Sequence, residues 1–297
     1  MQSADNLRQL FPESPHWHFS ESRTGFPLLH LIDGNTQATV SVYGAQLLSY
    51  CPAAQEDVLW LSDDARFQQG KSIRGGIPLC WPWFGPHPND SDKPAHGFVR
   101  NRYWQLTALT RVGDASLARF RLSEFDQTFY QPELSLELEI SVGDSLKVQL
   151  TTTNNSQESA TVSSALHSYF AISDIGDIQI TGLEDKPFRD AVNNNSTCLQ
   201  RGPIRFSGEL DRVYQNVDAE ICIHDPGLER VISISGTGSQ SAVVWNPWVE
   251  KSLRLGDMGK DGYRNMVCVE TANADQDART LKPGATHYLV ACIQVKP

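Results

Sequence analysis

Residues 134–151 read LSLELEISVGDSLKVQLT and carry the clearest alternation in the chain. Apolar and polar residues alternate from Leu134, Gly143-Asp144 interrupts the pattern, and the alternation resumes at Leu146. A period of two is typical of a strand with one buried face, whereas a helix repeats every 3.6 residues. The stretch therefore predicts two antiparallel strands joined by a tight turn.

The same period of two recurs through most of the chain, between clusters of Gly, Asn, Asp and Pro. Further strands are predicted at 28–32, 37–43, 47–50, 58–61, 103–110, 116–122, 161–170, 178–181, 220–224, 229–235, 242–245, 266–270 and 287–294. Helices are expected only near 63–69 and 249–255. Many short strands without a βαβ rhythm indicate an all-β fold, a large antiparallel β-sandwich. We expect a single domain over residues 1–297, with 1–20 as an N-terminal extension that holds one short helical turn at 6–10.

Composition narrows the possible partners and compartment. Of the 297 residues, 40% are hydrophobic and 20% are charged, as in a soluble globular protein, and the formal net charge of -10 argues against a nucleic-acid partner. No run approaches the ~18 apolar residues of a membrane span, and the first residues lack the pattern of a secretory signal. The six cysteines include no CxxC pair. We therefore expect reduced thiols, no metal site and a cytoplasmic protein.

Residues 71–100 form a long segment with little periodicity, KSIRGGIPLCWPWFGPHPNDSDKPAHGFVR. Loops of this length are usually functional or disordered, and the many aromatic residues argue against disorder. Arg74 and Arg100 could present planar donors to a phosphate or carboxylate, and the neighbouring glycines allow a backbone to approach a ligand closely. The alternative is that each arginine pairs with one of the 35 acidic residues of the chain.

Two titratable residues stand out on predicted strands. In 161–170, alternation places His167 on the face opposite Val162, Leu166 and Phe170, where it could lie on the floor of a groove. Glu270 ends an apolar strand, and partial burial would raise the pKa of its carboxyl towards the range of a general base. Taken alone, His167 fits a surface or hydrogen-bonded histidine better, and Glu270 fits a strand-end charge turned to solvent better.

Two further kinds of residue are candidates for contacts with a sugar. Asp211 could accept hydrogen bonds from sugar hydroxyls, although a solvated acid in a turn has the same sequence pattern. Aromatic residues could cover the apolar face of a pyranose ring, although most of them belong in the core; the candidates are Trp81, Trp83, Phe84, Trp245 and Trp248.

Six motifs follow one another along the chain: IRGGIP at 73–78, WPWFG at 81–85, HGFVR at 96–100, ALHSYF at 165–170, ELDRVY at 209–214 and CVETAN at 268–273. Together they resemble the hexose-6-phosphate mutarotase (glucose-6-phosphate 1-epimerase) branch of the aldose 1-epimerase family, and in particular its bacterial YeaD-type members, and the resemblance covers about residues 28–295. The resemblance implies a galactose mutarotase-like sandwich with an open groove on one concave sheet. It implies no metal and no cofactor.

The resemblance also implies roles for individual residues. Glu270 is similar to the general base that takes the proton from the anomeric hydroxyl, and His167 to the general acid that protonates the ring oxygen. Arg74 and Arg100 fall where this branch resembles a phosphate clamp. His96 lines the same pocket, and Asp211 resembles a hydroxyl-binding acid. One departure is Ala95, where many relatives have Gln.

We therefore expect an isomerase that interconverts the anomers of a hexose 6-phosphate, with a small sugar phosphate as its partner, no membrane contact and a monomeric state. One alternative is an aldose 1-epimerase for neutral sugars such as galactose, for which two groove arginines would have little use. Another is a non-catalytic β-sandwich that binds sugar phosphates, for which a matched acid and base would have no use. A glycoside hydrolase fits less well, because that chemistry usually needs paired carboxylates.

Overall fold

The computed structural model describes residues 2–122, 126–130 and 132–296, and most of their regular structure is in strands. The α-helices are α1 (Ala4–Leu10) and α2 (Trp248–Leu255), and single turns of 3-10 helix lie at Val99–Asn101, Gly262–Asn265 and Asp275–Asp277. The strands are β1 (Trp17–Glu21), β2 (Pro27–Asp33), β3 (Thr36–Ser41), β4 (Gln46–Cys51), β5 (Leu79–Cys80), β6 (Trp104–Val112), β7 (Ala115–Leu122), β8 (Leu134–Val142), β9 (Leu146–Asn154), β10 (Ala160–Val162), β11 (Ser164–Leu166), β12 (Tyr169–Ala171), β13 (Gln179–Thr181), β14 (Pro187–Asp190), β15 (Ser196–Leu199), β16 (Leu210–Gln215), β17 (Ile221–Asp225), β18 (Arg230–Thr237), β19 (Ser241–Asn246), β20 (Met266–Asn273), β21 (Arg279–Leu281) and β22 (Thr286–Lys296).

Two large antiparallel sheets dominate the molecule and confirm the predicted sandwich. The first, which we call the groove sheet, has the order β15-β14-β16-β19-β20-β11-β5, and β12 also pairs with β20. The second, which we call the opposite sheet, has the order β13-β17-β18-β22-β9-β8-β7-β6. A four-stranded sheet, β1 to β4, and the short pair β10 and β21 complete the fold.

The hairpin predicted from residues 134–151 is confirmed as β8 and β9. Leu138 lies opposite Leu150, and buried residues alternate with partly buried ones along the whole of β8. Both leucines belong to one large buried cluster that also contains Val269 of the groove sheet and Leu29 of the four-stranded sheet. The alternating apolar faces therefore meet in a shared core.

Several predictions of secondary structure were wrong in detail. Residues 63–69 form no helix; the Ser62 hydroxyl accepts the Asp64 N–H and closes a turn instead. Residues 58–61 make isolated bridges rather than a strand. The strands β14, β15 and β16 were missed, because polar residues interrupt the period of two in their sequences. Helix α2 was predicted correctly to within a residue.

The N-terminal residues contribute more structure than the predicted extension. The predicted turn lies within α1, whose Ala4 and Leu7 are fully buried. Strand β1 then pairs with β2, and Phe19 packs into the core. The apolar residues that pack this segment against the core are few and widely spaced, so they form no clear period in the sequence. None of the helices in the described ranges is long and apolar enough to cross a membrane.

Candidate active site

Strand pairing in the groove sheet brings His167 and Glu270 together. The predicted strand 161–170 is divided into β10, β11 and β12 by breaks at Ser163 and at His167-Ser168. At the second break the His167 backbone N–H donates to the Pro78 carbonyl, in the loop of residues 71–100. On either side of this break, Leu166 lies opposite Thr271 and Tyr169 lies opposite Cys268. The register is therefore continuous, and it places His167 opposite Glu270 on the neighbouring strand β20.

The predicted separation of faces along this strand is also present. Val162, Leu166 and Phe170 belong to the main core. Tyr169, from the other face, packs in a separate buried cluster with Trp245. His167 lies on that second face, as expected from a period of two.

The two side chains are close and almost inaccessible to water. His167 Nδ1 lies 3.4 Å from Glu270 Oε1, and the two residues are 8% and 2% exposed. Neither His167 Nδ1 nor Glu270 Oε2 has a hydrogen-bond partner among the described residues. Since buried polar atoms are nearly always satisfied, these two atoms are candidates for hydrogen bonds to a polar ligand.

The surroundings shift both groups towards their neutral forms. Burial raises the pKa of the Glu270 carboxyl well above its usual range, the negative charge of Asp211 adds to this, and Arg100 opposes it. Burial lowers the pKa of the His167 imidazole, as do His96 and the arginines of the groove. When it is ionised, a carboxylate with a raised pKa is a stronger proton acceptor, and when it is protonated, an imidazole with a lowered pKa is a stronger proton donor.

Aromatic rings fix the orientation of His167. Its ring stacks on Tyr169 with centroids 4.9 Å apart and planes 7° apart. Trp245 and His96 meet it at steep angles, each with its centroid 5.9 Å away. A ring packed on several sides has little rotational freedom, so its nitrogen atoms keep fixed positions relative to Glu270.

The two predicted anion-binding arginines differ in how far their charges are compensated. Arg74 donates from Nε to Asp257 Oδ1 at 3.0 Å and from Nη1 to the Tyr169 hydroxyl at 2.9 Å. Its contact with Asp257 is the pairing with an acidic residue that the sequence analysis gave as the alternative to anion binding. Arg100 donates to the Ala95 carbonyl at 3.0 Å, and its buried Nε has no described partner. No carboxylate in the described ranges lies within 4.0 Å of the Arg100 guanidinium, so Arg100 carries the less compensated charge.

Asp211 faces the groove from β16 beside a cation that the sequence analysis missed. Lys251 Nζ lies 3.5 Å from Asp211 Oδ2 and 2.8 Å from Glu209 Oε1, and it lies over the Trp245 ring. Burial raises the pKa of Asp211, whereas Lys251 opposes that shift. Helix α2 was predicted, but a lysine on a short helix gives no sequence signal that separates it from a solvated residue.

His96 lies close to both arginines and is held as a neutral ring. Burial together with Arg100 and Arg74 lowers its pKa to about 3. The Gly85 N–H donates to His96 Nδ1 at 3.3 Å, so the imidazole hydrogen is on Nε2. His96 is therefore available to a ligand as a neutral donor.

The glycines of the double-glycine and HG motifs were expected to let the backbone approach a ligand closely, but they lie against other protein backbone instead. Both Gly76 and Gly97 have positive φ angles. A Cβ added to Gly76 would meet the Leu47 carbonyl, and one added to Gly97 would meet the Trp81 carbonyl. The double glycine and the HG pair thus let the loop pack tightly behind the groove, so that its arginines are presented from a fixed backbone.

All six predicted site residues line one open cavity of about 270 Å³. They are Arg74, His96, Arg100, His167, Asp211 and Glu270, and the lining also includes Ser72, Phe84, Val243, Trp245, Lys251 and Leu255. Of the five aromatic candidates, Phe84 and Trp245 are therefore in the groove. Within residues 2–122, 126–130 and 132–296, no group of three or more His, Cys, Asp or Glu side chains could hold a metal ion.

Comparison with known proteins points to one family. A family model described as "Aldose 1-epimerase" matches residues 27–291. An Escherichia coli protein named "Putative glucose-6-phosphate 1-epimerase" is 37% identical over 254 residues, which cover 84% of each chain. A Salmonella typhimurium protein of the same name is 39% identical over 252 residues, covering 83% of this chain and 84% of its own.

The solved structures agree with these relatives. The crystal structure of a "putative mutarotase (YeaD)" from Salmonella typhimurium superposes with a TM-score of 0.88 at 32% identity, over 95% of this chain and 94% of that one. A galactose mutarotase-like protein from Clostridium acetobutylicum superposes with a TM-score of 0.72 at 15% identity, over 94% and 98% of the two chains. The second likeness shows the fold alone.

Proposed function

The chain belongs to the aldose 1-epimerase family, and from that premise we propose that it interconverts the α and β anomers of a hexose 6-phosphate, with glucose 6-phosphate as the expected substrate. The protein is an isomerase. The observation that carries the proposal is the buried pair of Glu270 and His167, 3.4 Å apart, in the same groove as Arg100. A proton acceptor and a proton donor in contact match a reaction that removes one proton and delivers another.

The proposed reaction needs only these two groups. Glu270 in its ionised form takes the proton from the anomeric hydroxyl as His167 in its protonated form gives a proton to the ring oxygen, and the bond between C1 and the ring oxygen breaks. The free aldehyde rotates about its C1–C2 bond. Closure from the other face returns the proton of the ring oxygen to His167 and the proton on Glu270 to the new anomeric hydroxyl, so that both groups end as they began.

The cations of the groove support a phosphorylated substrate. Arg100 has the least compensated charge of these cations, and its Nε has no partner in the part of the chain that the structure describes, so we assign it the largest share of phosphate binding. Arg74, already paired with Asp257, contributes a second donor fork. Asp211 accepts hydrogen bonds from sugar hydroxyls, and Lys251 beside it is a donor on the same wall.

One observation favours the alternative of a neutral aldose. The charge of Arg74 is offset by Asp257, and that of Lys251 by Glu209 and Asp211. The groove therefore holds less net positive charge than a count of its cations suggests. Only a comparison of phosphorylated and neutral sugars separates the two substrates.

The proposal also includes a cytoplasmic monomer that uses no metal or cofactor. The proposed proton transfers are complete with Glu270 and His167, and all the residues assigned to the substrate come from one chain. Size-exclusion chromatography with light scattering measures the oligomeric state, and an activity that survives chelation supports the metal-free chemistry.

The decisive experiment follows anomer interconversion by NMR exchange on glucose 6-phosphate, glucose and galactose. We expect Glu270→Gln and His167→Ala each to lower kcat by about 10²–10⁴-fold on glucose 6-phosphate. Arg100→Gln should raise KM for glucose 6-phosphate about 10- to 100-fold, the cost of a lost hydrogen bond to a charged group, with a smaller effect on glucose.

Arg119→Gln is the control, because it removes an arginine that is paired with Glu139 on the opposite sheet. Its rates should match those of the wild type. Equal kcat/KM for glucose and glucose 6-phosphate in the wild type would overturn the phosphate assignment. Unchanged catalysis in either His167→Ala or Glu270→Gln would overturn the mechanism.

A further inference from the structure

Tyr169 lies between the proposed acid and the proposed anion site. It is the first residue of β12, two positions after His167, and is 2% exposed. It does not line the groove, so it has no place among the residues that touch a substrate. Its contacts nevertheless reach both of the functional groups named above.

The ring of Tyr169 is packed against His167. The two rings are 4.9 Å apart and within 7° of parallel. Trp60 stacks on Tyr169 at 5.9 Å, and Trp245 meets it edge-on at 6.0 Å. With three aromatic neighbours the Tyr169 ring has little freedom, and the imidazole stacked on it is held nearly parallel to it.

The hydroxyl of Tyr169 is bonded to Arg74. Arg74 Nη1 donates to this oxygen at 2.9 Å, and Arg74 Nε donates to Asp257 at 3.0 Å. The guanidinium is thus held at two points. Burial raises the pKa of the Tyr169 phenol, so the hydroxyl remains neutral and does not add a negative charge to the anion site.

The backbone joins the same elements. The Tyr169 N–H donates to the Gly76 carbonyl at 2.9 Å, and the Trp60 N–H donates to the Tyr169 carbonyl at 3.0 Å. Since Gly76 follows Arg74 by two residues, the loop that carries the arginine and the strand that carries the histidine are connected through this one residue.

We propose that Tyr169 is a positioning residue with two separable actions: its ring sets the orientation of His167, and its hydroxyl sets the orientation of Arg74. The inference rests on the proposed function for the identity of the substrate. It adds that the alignment of the acid and the affinity for the phosphate are coupled through a residue that touches neither the sugar nor the phosphate.

The two actions predict different effects of two substitutions. Tyr169→Phe keeps the stacked ring and removes the hydroxyl, so the ratio of KM for glucose 6-phosphate to KM for glucose should rise about three- to tenfold. This rise is smaller than the full effect of losing a hydrogen bond to a charged group, because Asp257 still holds Arg74. Tyr169→Leu removes the stack, so kcat should fall at least tenfold on both sugars.

A double-mutant cycle tests the route through Arg74. If the hydroxyl acts through that guanidinium, adding Tyr169→Phe to Arg74→Gln should leave the KM for glucose 6-phosphate as it is in Arg74→Gln alone. Additive effects of the two substitutions would overturn this part of the inference.

A spectroscopic measurement keeps the test independent of turnover. The ring ¹⁵N resonances of His167 should move on addition of inorganic phosphate to the wild type, move less in Tyr169→Phe, and already differ in phosphate-free Tyr169→Leu. If the wild type proved inactive on glucose 6-phosphate, the proposed function would fail while this readout still tested the coupling.

Tyr214→Phe is the matched control. Tyr214 is fully buried in the same sheet, and its hydroxyl donates to Gln200 Oε1 at 2.8 Å, facing the main core. The Tyr214→Phe variant should lose stability without a change in the KM ratio or in the His167 resonances. A Tyr169→Phe variant that behaves like Tyr214→Phe would show a purely structural role and overturn the proposal.

Discussion

Glu270 occupies a central strand of the groove sheet, where its carboxylate loses most of its hydration and gains no described hydrogen bond at Oε2. The ionised form is therefore costly in the folded protein. The same destabilisation of the ionised form makes the carboxylate a stronger base. The burial that favours catalysis by Glu270 therefore lowers the stability of the folded protein.

We predict that Glu270→Gln raises the melting temperature, and that the increase grows with pH. The pKa of Glu270 is raised in the folded state, so its contribution to stability is fully present below the unfolded pKa and is lost as pH rises through the folded pKa. Glutamine is neutral throughout and avoids that loss. The gain should be a few degrees, about 2 °C or more for each kcal/mol.

Thermal unfolding monitored from about pH 5 to about pH 9 checks this prediction, with the ordinary carboxyl pKa of ~4.3 below the range. Glu133→Gln serves as the control, because Glu133 is exposed and its loss should give no trend with pH. An advantage of Glu270→Gln that shrinks as pH rises would show that the native state favours the ionised carboxylate.

At this scale the sequence identified the chemical groups but not their surroundings. Alternation alone placed His167 opposite the apolar stripe, and the family motifs supplied the roles. The pairing of Arg74 with Asp257, 183 positions away, is set by tertiary packing and leaves no local pattern. Lys251 was missed for the same reason, since a helix of eight residues does not reveal which face meets the groove.

Among the elements, the loop of residues 71–100 depends on a close backbone contact. Gly97 forms a bridge with Trp81, the Phe98 N–H donates to the Trp81 carbonyl, and the Trp81 N–H donates to the His96 carbonyl. These contacts fix the backbone on either side of His96 and lead directly to Arg100.

We predict that Gly97→Ala lowers the free energy of unfolding by about 3–5 kcal/mol and weakens binding of the phosphorylated sugar. The new alanine would have to keep a positive φ, and its Cβ would overlap the Trp81 carbonyl. Gly85→Ala is a closely matched control, since Gly85 also has a φ of 72° but nothing within 4 Å of its added Cβ.

The control should cost only the ~1–2 kcal/mol of a left-handed alanine. Urea titration of both variants gives the comparison. Equal losses of stability would mean that the contact with Trp81 is unimportant and that only the φ angle requires glycine.

Strands with a clean alternation, such as β8 and β9, could be predicted because one face is buried and the other is in water. Strand β14 could not, because Arg189 and Asp190 make polar contacts on the surface and interrupt the pattern. Strand order was also beyond prediction. No local pattern in the sequence predicts that 164–171 pairs with 266–273, yet that pairing brings His167 and Glu270 together.

For the whole molecule we propose that residues 1–297 form one domain, including the segment first expected to be an extension. Leu29, Leu138 and Val269, each from a different sheet, belong to the same buried cluster. Leu7 of α1 joins them. A core shared in this way cannot be divided without exposing apolar surface on both parts.

We therefore predict a single cooperative unfolding transition. Far-ultraviolet circular dichroism, which follows the strands, and the fluorescence of the seven tryptophans should give coincident curves in urea. The calorimetric enthalpy should equal the van't Hoff enthalpy. Two separated transitions would show that the sheets unfold as independent units.

The continuous register around His167 and Glu270 has a consequence for how related genes can diverge. A single-residue insertion or deletion within 164–171 or 266–273 would turn the following side chains to the other face and separate the pair. Changes of length near residues 86–94, most of them exposed, leave that register alone. Descendants of this chain can therefore diversify in that loop through insertions and deletions, while their paired strands can vary only by substitution.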